Sequence, residues 1–142
     1  MGIIAVAAPE QAPLLGLLSM ILPIIVSGNA VVALASESKP YPAILLGEML
    51  ATSDLPGGII NLLTGRNADI LPTFATHEQI RAVSAFATAD ERKTLQTGAA
   101  ESVKRTKFIP AEKPYDWFSG EAQGLYHIRD FVELKTTWHP VG

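Results

Sequence analysis

The sequence contains no cysteine. That excludes disulfides, Cys-ligated zinc, iron–sulfur clusters and any thiol nucleophile. Basic residues are in the minority: 11 Lys and Arg stand against 14 Asp and Glu, giving a net charge of −3 and a pI near 5.5. A nucleic-acid binder would usually carry a basic face, so nucleic acid is not an expected partner. The three histidines, His77, His127 and His139, are well separated and show no metal-ligand spacing. Common catalytic and nucleotide signatures are missing too. The turn after the first apolar run reads Ala8-Pro9-Glu10-Gln11-Ala12-Pro13, where a G-x-G-x-x-G would stand. There is no P-loop and no G-x-S-x-G elbow, which disfavours a P-loop NTPase and an α/β-hydrolase.

Charge is scarce in the first third of the chain. From Met1 to Ser53 only Glu10, Glu37, Lys39 and Glu48 are charged, and the other 21 of 25 charged residues follow. The uncharged stretch between Glu10 and Glu37 is long enough to raise a transmembrane helix. Pro9, Pro13 and Pro23 punctuate it, and Ser27-Gly28-Asn29 breaks it. Neither flank has a Lys/Arg cluster, and no basic residue precedes the apolar run as in a signal peptide. The expectation is a buried core with no membrane partner, in a cytoplasmic protein.

What is present is an alternation of strand and helix signals. Gly2–Ala8 is continuously apolar, as suits a strand covered on both faces. Leu14–Val26 is helix-length and is stopped by Gly28-Asn29. Ala30–Ala35 reads as a second buried strand. Pro40 and Pro42 open a helix reaching about Thr52. Asp54-Leu55-Pro56-Gly57-Gly58 is a turn, and Ile59–Leu63 a third strand. A helix over Asn67–Thr76 and a strand over Ala82–Phe86 follow. Thr88 and Glu91 form a capping box for a helix from Ala89 to about Ser102. Val103–Ile109 is a fifth, more polar strand, ended by Pro110.

Short loops between such elements predict right-handed βαβ units. The expected fold is α/β and Rossmann-like, a five-stranded, mostly parallel sheet with helices on both faces over residues 1–110. The charge asymmetry then predicts that the first two strands and their helices are central and the later elements peripheral.

Residues 111–142 break the pattern. They hold Trp117, Trp138, Tyr115 and Tyr126. Glu121–Arg129 reads as helical. Phe131-Val132-Glu133-Leu134-Lys135-Thr136-Thr137-Trp138 alternates over part of its length and reads as a terminal strand. It could pair outside its own sheet or add an edge strand to it; both readings stand.

Candidate site residues are few. Glu10 reads as a base at a strand end or as a helix N-terminal charge, the second favoured by the macrodipole. Glu37 reads as an acceptor for ribose hydroxyls or as a solvated charge beside Lys39. His77 reads as a surface or structural residue at a helix end. Asp90-Glu91-Arg92-Lys93 reads as a solvated helix face. Lys104, Arg105 and Lys107 could meet a phosphate or line a solvated edge strand.

The segments taken in order resemble the cofactor-binding domain of the aldehyde dehydrogenase superfamily. The resemblance is carried by Gly2-Ile3-Ile4, Pro9, Pro13-Leu14-Leu15, Gly28-Asn29-Ala30-Val31-Val32, Glu37 with Pro40, Leu55-Pro56-Gly57-Gly58-Ile59-Ile60-Asn61, Gly65, Ala75-Thr76-His77 and Lys104-Arg105. It covers Gly2 to about Ile109. Phe131–Thr136 resembles the family's final oligomerisation strand, with Phe131, Leu134 and Trp138 as the implied interface residues. The intervening catalytic domain is missing.

The resemblance implies a mechanism whose parts are absent here. The family uses a cysteine thiolate, an asparagine amide for the oxyanion and a glutamate base. This chain has no cysteine, Gln11 in the asparagine's place and Ile109 in the glutamate's. NAD(P) is the implied cofactor, and Glu37 matches the family's ribose-binding glutamate. Leu34 replaces the accompanying lysine, and Ala87–Arg92 replaces the glycine-rich diphosphate turn, which makes Glu37 a vestige. The resemblance is closest to the shortened, cysteine-free second half of long two-domain aldehyde dehydrogenases. It implies a non-catalytic domain whose terminal strand pairs with a catalytic half or with another copy. The alternative is a subunit that binds NAD(P) through Glu37 and contributes to aldehyde oxidation in trans.

Overall fold

The computed structural model describes residues 2–139. The elements run β1 (Ile3–Ala7), α1 (Leu15–Val26), β2 (Ala30–Leu34), α2 (Tyr41–Ala51), β3 (Ile60–Leu63), α3 (Asn67–Thr76), β4 (Ile80–Ala87), α4 (Ala89–Ala100) and β5 (Arg105–Pro110). The five strands form one parallel sheet in the order β3-β2-β1-β4-β5. The architecture is the α/β, Rossmann-like one that the alternation predicts.

The period of two along each strand divides the core between the sheet's two faces. Ile4, Val6, Val31, Ala33, Ala82 and Phe86 face α1, where Leu17, Met20, Ile21 and Ile24 recur at helical spacing. Ala5, Ala7, Leu34, Val83 and Ala85 face α3 and α4, meeting Leu71, Phe74 and Leu95. The turn from α1 into β2 needs φ +81° at Gly28, a conformation that side chains disfavour.

The remaining cover comes from the tail. The crossovers leave the α1 face of β4 and β5 without a helix, and Trp117 and Phe131 fill that space among the α1-face residues. Trp117 is 4% exposed and Phe131 3%. Tyr115 packs edge-on to Trp117 at 4.6 Å, and Phe86 lies 6.0 Å from it. At Gly16 α1 comes so close that a Cβ would lie 2.2 Å from Pro9 Cγ and 3.3 Å from Trp117.

Four expectations need correction. The segment expected to be a helix over Glu121–Arg129 is turns followed by a 3-10 helix, Leu125–Phe131. Gly124, with an extended backbone at φ −71° and ψ 143°, interrupts the expected helix. No strand forms over Phe131–Trp138: past Phe131 the described chain is irregular and pairs with no strand of the sheet. Pro110 is the last residue of β5 rather than a residue beyond it. The charge asymmetry does not map onto burial. β4, in the charged two-thirds of the chain, is buried at seven of its eight positions, whereas charge-poor α2 buries only Ala43. Its Tyr41, Ile44, Leu45 and Met49 are exposed. Strand order explains this: β1 and β4 are neighbours in the sheet's middle, and α2 lies over edge strand β3.

Candidate functional site

A parallel sheet delivers all its carboxyl ends to one edge, and an open α/β sheet binds ligands there. Glu10 follows β1, Glu37 follows β2, Asn67 opens α3, Thr88 and Glu91 open α4, and Glu112 follows β5. Glu10, Glu37, Ser38 and Asn67 line a shallow cleft at this edge.

These groups are bonded to one another. The Glu10 carboxylate accepts from Ser36 Oγ (2.9 Å), the Glu37 N–H (2.7 Å), the Ser38 N–H (3.0 Å) and the Ser38 hydroxyl. Burial pushes the Glu10 carboxyl up, but the bonds from Ser38, Ser36 and Glu37 outweigh it and hold it below the usual carboxylate range. Glu10 therefore fastens the loop between β2 and α2. It does not serve a helix N-terminus, because α1 begins only at Leu15. A carboxylate held ionised in this way is a weak base.

Glu37 is exposed, and its Oε2 accepts the Asn67 N–H at 2.8 Å. It satisfies a donor at the start of α3 that has no intrahelical partner. The Asn67 amide donates in turn to Glu91 Oε1 (2.9 Å). Glu91 Oε2 accepts from the Thr88 N–H (2.8 Å) and the Thr88 hydroxyl (2.9 Å), completing the predicted capping box. Glu112 Oε1 accepts the Ala89 N–H, and Glu112 Oε2 pairs with Arg92 Nη1 at 2.9 Å. Arg92 also donates to Ala87 O at 2.8 Å. The hydrogen bond from Arg92, reinforced by the Ala89 N–H, holds the Glu112 carboxyl below its usual range.

The remaining positions carry no reacting group. Leu34 is fully buried on the α3–α4 face, and Ile109 packs against the opposite core. Gln11 is exposed, as is His77. The basic residues of β5 hold the tail: Arg105 Nη1 donates to Asp130 O (2.7 Å) and Val132 O (3.1 Å), and Lys107 pairs with Asp130 and His127. Among the described residues no group of three or more His, Asp or Glu could hold a metal ion. No described helix is long and apolar enough to cross a membrane.

The three residues expected at an interface are not brought together. Phe131 is buried in this chain's own core, because it fills the bare face of β4 and β5. Leu134 and Trp138 are 87% and 90% exposed. Pro140, Val141 and Gly142, part of the same resemblance, lie outside the described residues.

Two key residues escape sequence reasoning. Asn29 reads only as part of a helix stop, yet it is buried and bonded on three sides. Its Oδ1 accepts the Gly2 N–H (2.8 Å), and its Nδ2 donates to Ser27 Oγ (2.8 Å) and Phe131 O (2.8 Å). Glu112 carries no sequence signal at all, because its role depends on β5 ending beside the start of α4.

Comparison with known proteins places this arrangement. The aldehyde dehydrogenase family profile matches residues 1–108. The 2-aminomuconic 6-semialdehyde dehydrogenase of a Pseudomonas species is 33% identical over 109 residues, 76% of this chain and 22% of that protein. Human retinaldehyde dehydrogenase 3 is 25% identical over 71% of this chain and 20% of its own length. Among solved structures, a Pseudomonas syringae aldehyde dehydrogenase in complex with NAD+ and octanal superposes with a TM-score of 0.72 at 28% identity, covering 75% of this chain and 22% of that one. The chain thus spans about a fifth of the length of the relatives it matches. With a profile match over residues 1–108, from the first residue into β5, the chain belongs to the aldehyde dehydrogenase family.

Proposed function

We propose that this chain is a non-catalytic aldehyde-dehydrogenase-like domain that serves assembly. Its partner is a catalytic aldehyde dehydrogenase half or chain, performing NAD(P)-dependent oxidation of aldehydes to acids, or a second copy of itself. A cytoplasmic setting is part of this reading. The contrast at Phe131 carries it: Trp117 and Phe131 of the tail are buried in the core, and beyond them Leu134 and Trp138 lie exposed on a segment without regular secondary structure. An alternating, unpaired segment of this kind is suited to adding a strand to another sheet. The lack of cysteine, with Gln11 and Ile109 at the other reacting positions, leaves the chain without the family's chemistry.

The alternative of an NAD(P)-binding subunit rests on Glu37. That carboxylate is already engaged by the start of α3, and no basic residue stands at Leu34. No observation favours this second reading.

The test is a chain ending at Val132. Residues 133–139 are exposed, so the body keeps its fold without them. The full chain, co-expressed with its host's catalytic aldehyde dehydrogenase, is expected to co-purify with it; the truncated chain is not. A second copy as partner would instead give a dimer mass by light scattering that the truncation abolishes. Assembly unchanged by the truncation would overturn the proposal.

A further inference from the structure

The family resemblance puts the dinucleotide diphosphate at the start of α4, against the free N–H groups and the positive dipole end of a helix. In this chain three of the N–H groups at this end are already engaged. The Ala89 N–H donates to Glu112, the Glu91 N–H to Thr88 Oγ1 (3.3 Å) and the Thr88 N–H to Glu91. Arg92, the cation nearest this end, is turned to Glu112 and Ala87 O. Asp90 and Glu91 occupy the helix's first turn. A diphosphate would meet the carboxylates of Glu112, Glu91 and Asp90 here, so the residues present do not fit it.

We infer that Glu112 closes the diphosphate position of this chain from within, its carboxylate clipped by Arg92 onto the first N–H of α4. The carboxylate supplies what an incoming phosphate would supply: an anion at the positive end of a helix, chelated by a guanidinium. It does so intramolecularly, with no translational entropy to lose on each encounter. Closure follows from a residue just past β5 and is independent of the assembly role, which uses residues beyond Val132.

The experiment follows the Ala89 amide resonance in the full chain by NMR, using NAD+ and inorganic pyrophosphate as probes. In the wild-type protein the resonance is expected to stay unmoved by either probe at millimolar concentration. Glu112 is exposed, so Glu112→Ala leaves the fold intact, which unchanged resonances of α3 residues would verify. In Glu112→Ala the Ala89 resonance shifts and becomes responsive to pyrophosphate. Two results would overturn the inference. One is a wild-type response equal to that of Glu112→Ala. The other is a variant that ignores pyrophosphate as fully as the wild type. Either result leaves the test of the chain ending at Val132 unaffected.

Discussion

The two faces of the sheet are covered by different means. On one, α3 and α4 lie across the strands and bury Leu71, Phe74 and Leu95 in a regular layer. On the other, α1 covers the middle strands, and an irregular tail covers β4 and β5 with Trp117 and Phe131. The helical face gains its cover from periodic residues close to the strands in sequence. The tail face relies on two large side chains whose position nothing local dictates. A chain can thus complete a Rossmann-like core with a non-helical segment, provided a few aromatic groups reach the bare strands.

That comparison can be broken by substitution. If the tail is true core, Trp117→Ala costs about 3–5 kcal/mol, the range for removing a buried aromatic side chain. Leu95→Ala on the helical face then costs a similar amount, about 2–5 kcal/mol. Urea denaturation measures both, with Trp138→Ala expected within about 0.5 kcal/mol of wild type. A cost below about 1 kcal/mol for Trp117→Ala would make the tail a mere strap. Trp117→Phe should be milder than Trp117→Ala, because it keeps an aromatic ring in the core and gives up only an indole Nε1–H that has no hydrogen-bond partner in the structure.

Asn29→Ala comes next in size. It leaves the Gly2 N–H and the Phe131 carbonyl without their partner, an expected loss of about 2 kcal/mol. The same denaturation series reads it, and faster amide exchange around Phe131 should accompany the loss.

The smallest effect concerns the carboxyl edge. The folded-state pKa of Glu10 is lowered, so its contribution is present above the ordinary carboxyl range. It is lost as pH falls through the depressed value, below the ordinary carboxyl range. Glu10→Gln should therefore lower stability slightly near neutrality and change little in acid, which flattens the acid limb of a stability–pH profile. An unchanged acid limb would show that the loop after β2 does not depend on this carboxylate.

Much of the fold is legible in the sequence for a physical reason. Continuous apolar runs such as Ile3–Ala7 and capping signals such as Thr88 with Glu91 act over a few residues, and α3 falls where the pattern puts it. The tail is different. Phe131 reads as part of an alternating strand, and only the geometry of β4 and β5 turns it inward. The candidate site divides the same way. Glu37 is found by its place after β2, but its bond to Asn67 depends on β3 lying beside β2. Glu112 and Asn29 act across long sequence separations, through contacts that no local pattern encodes.

Asn29 has a consequence for how the molecule connects to its surroundings. One side-chain amide touches both Gly2 and Phe131, so the body begins and ends at a single corner. Gly2 and Phe131 are thus held at the same corner of the body. Such a layout lets the whole body hang from a neighbouring structure by one stem, and a short linker would suffice to join its ends in a circular permutant.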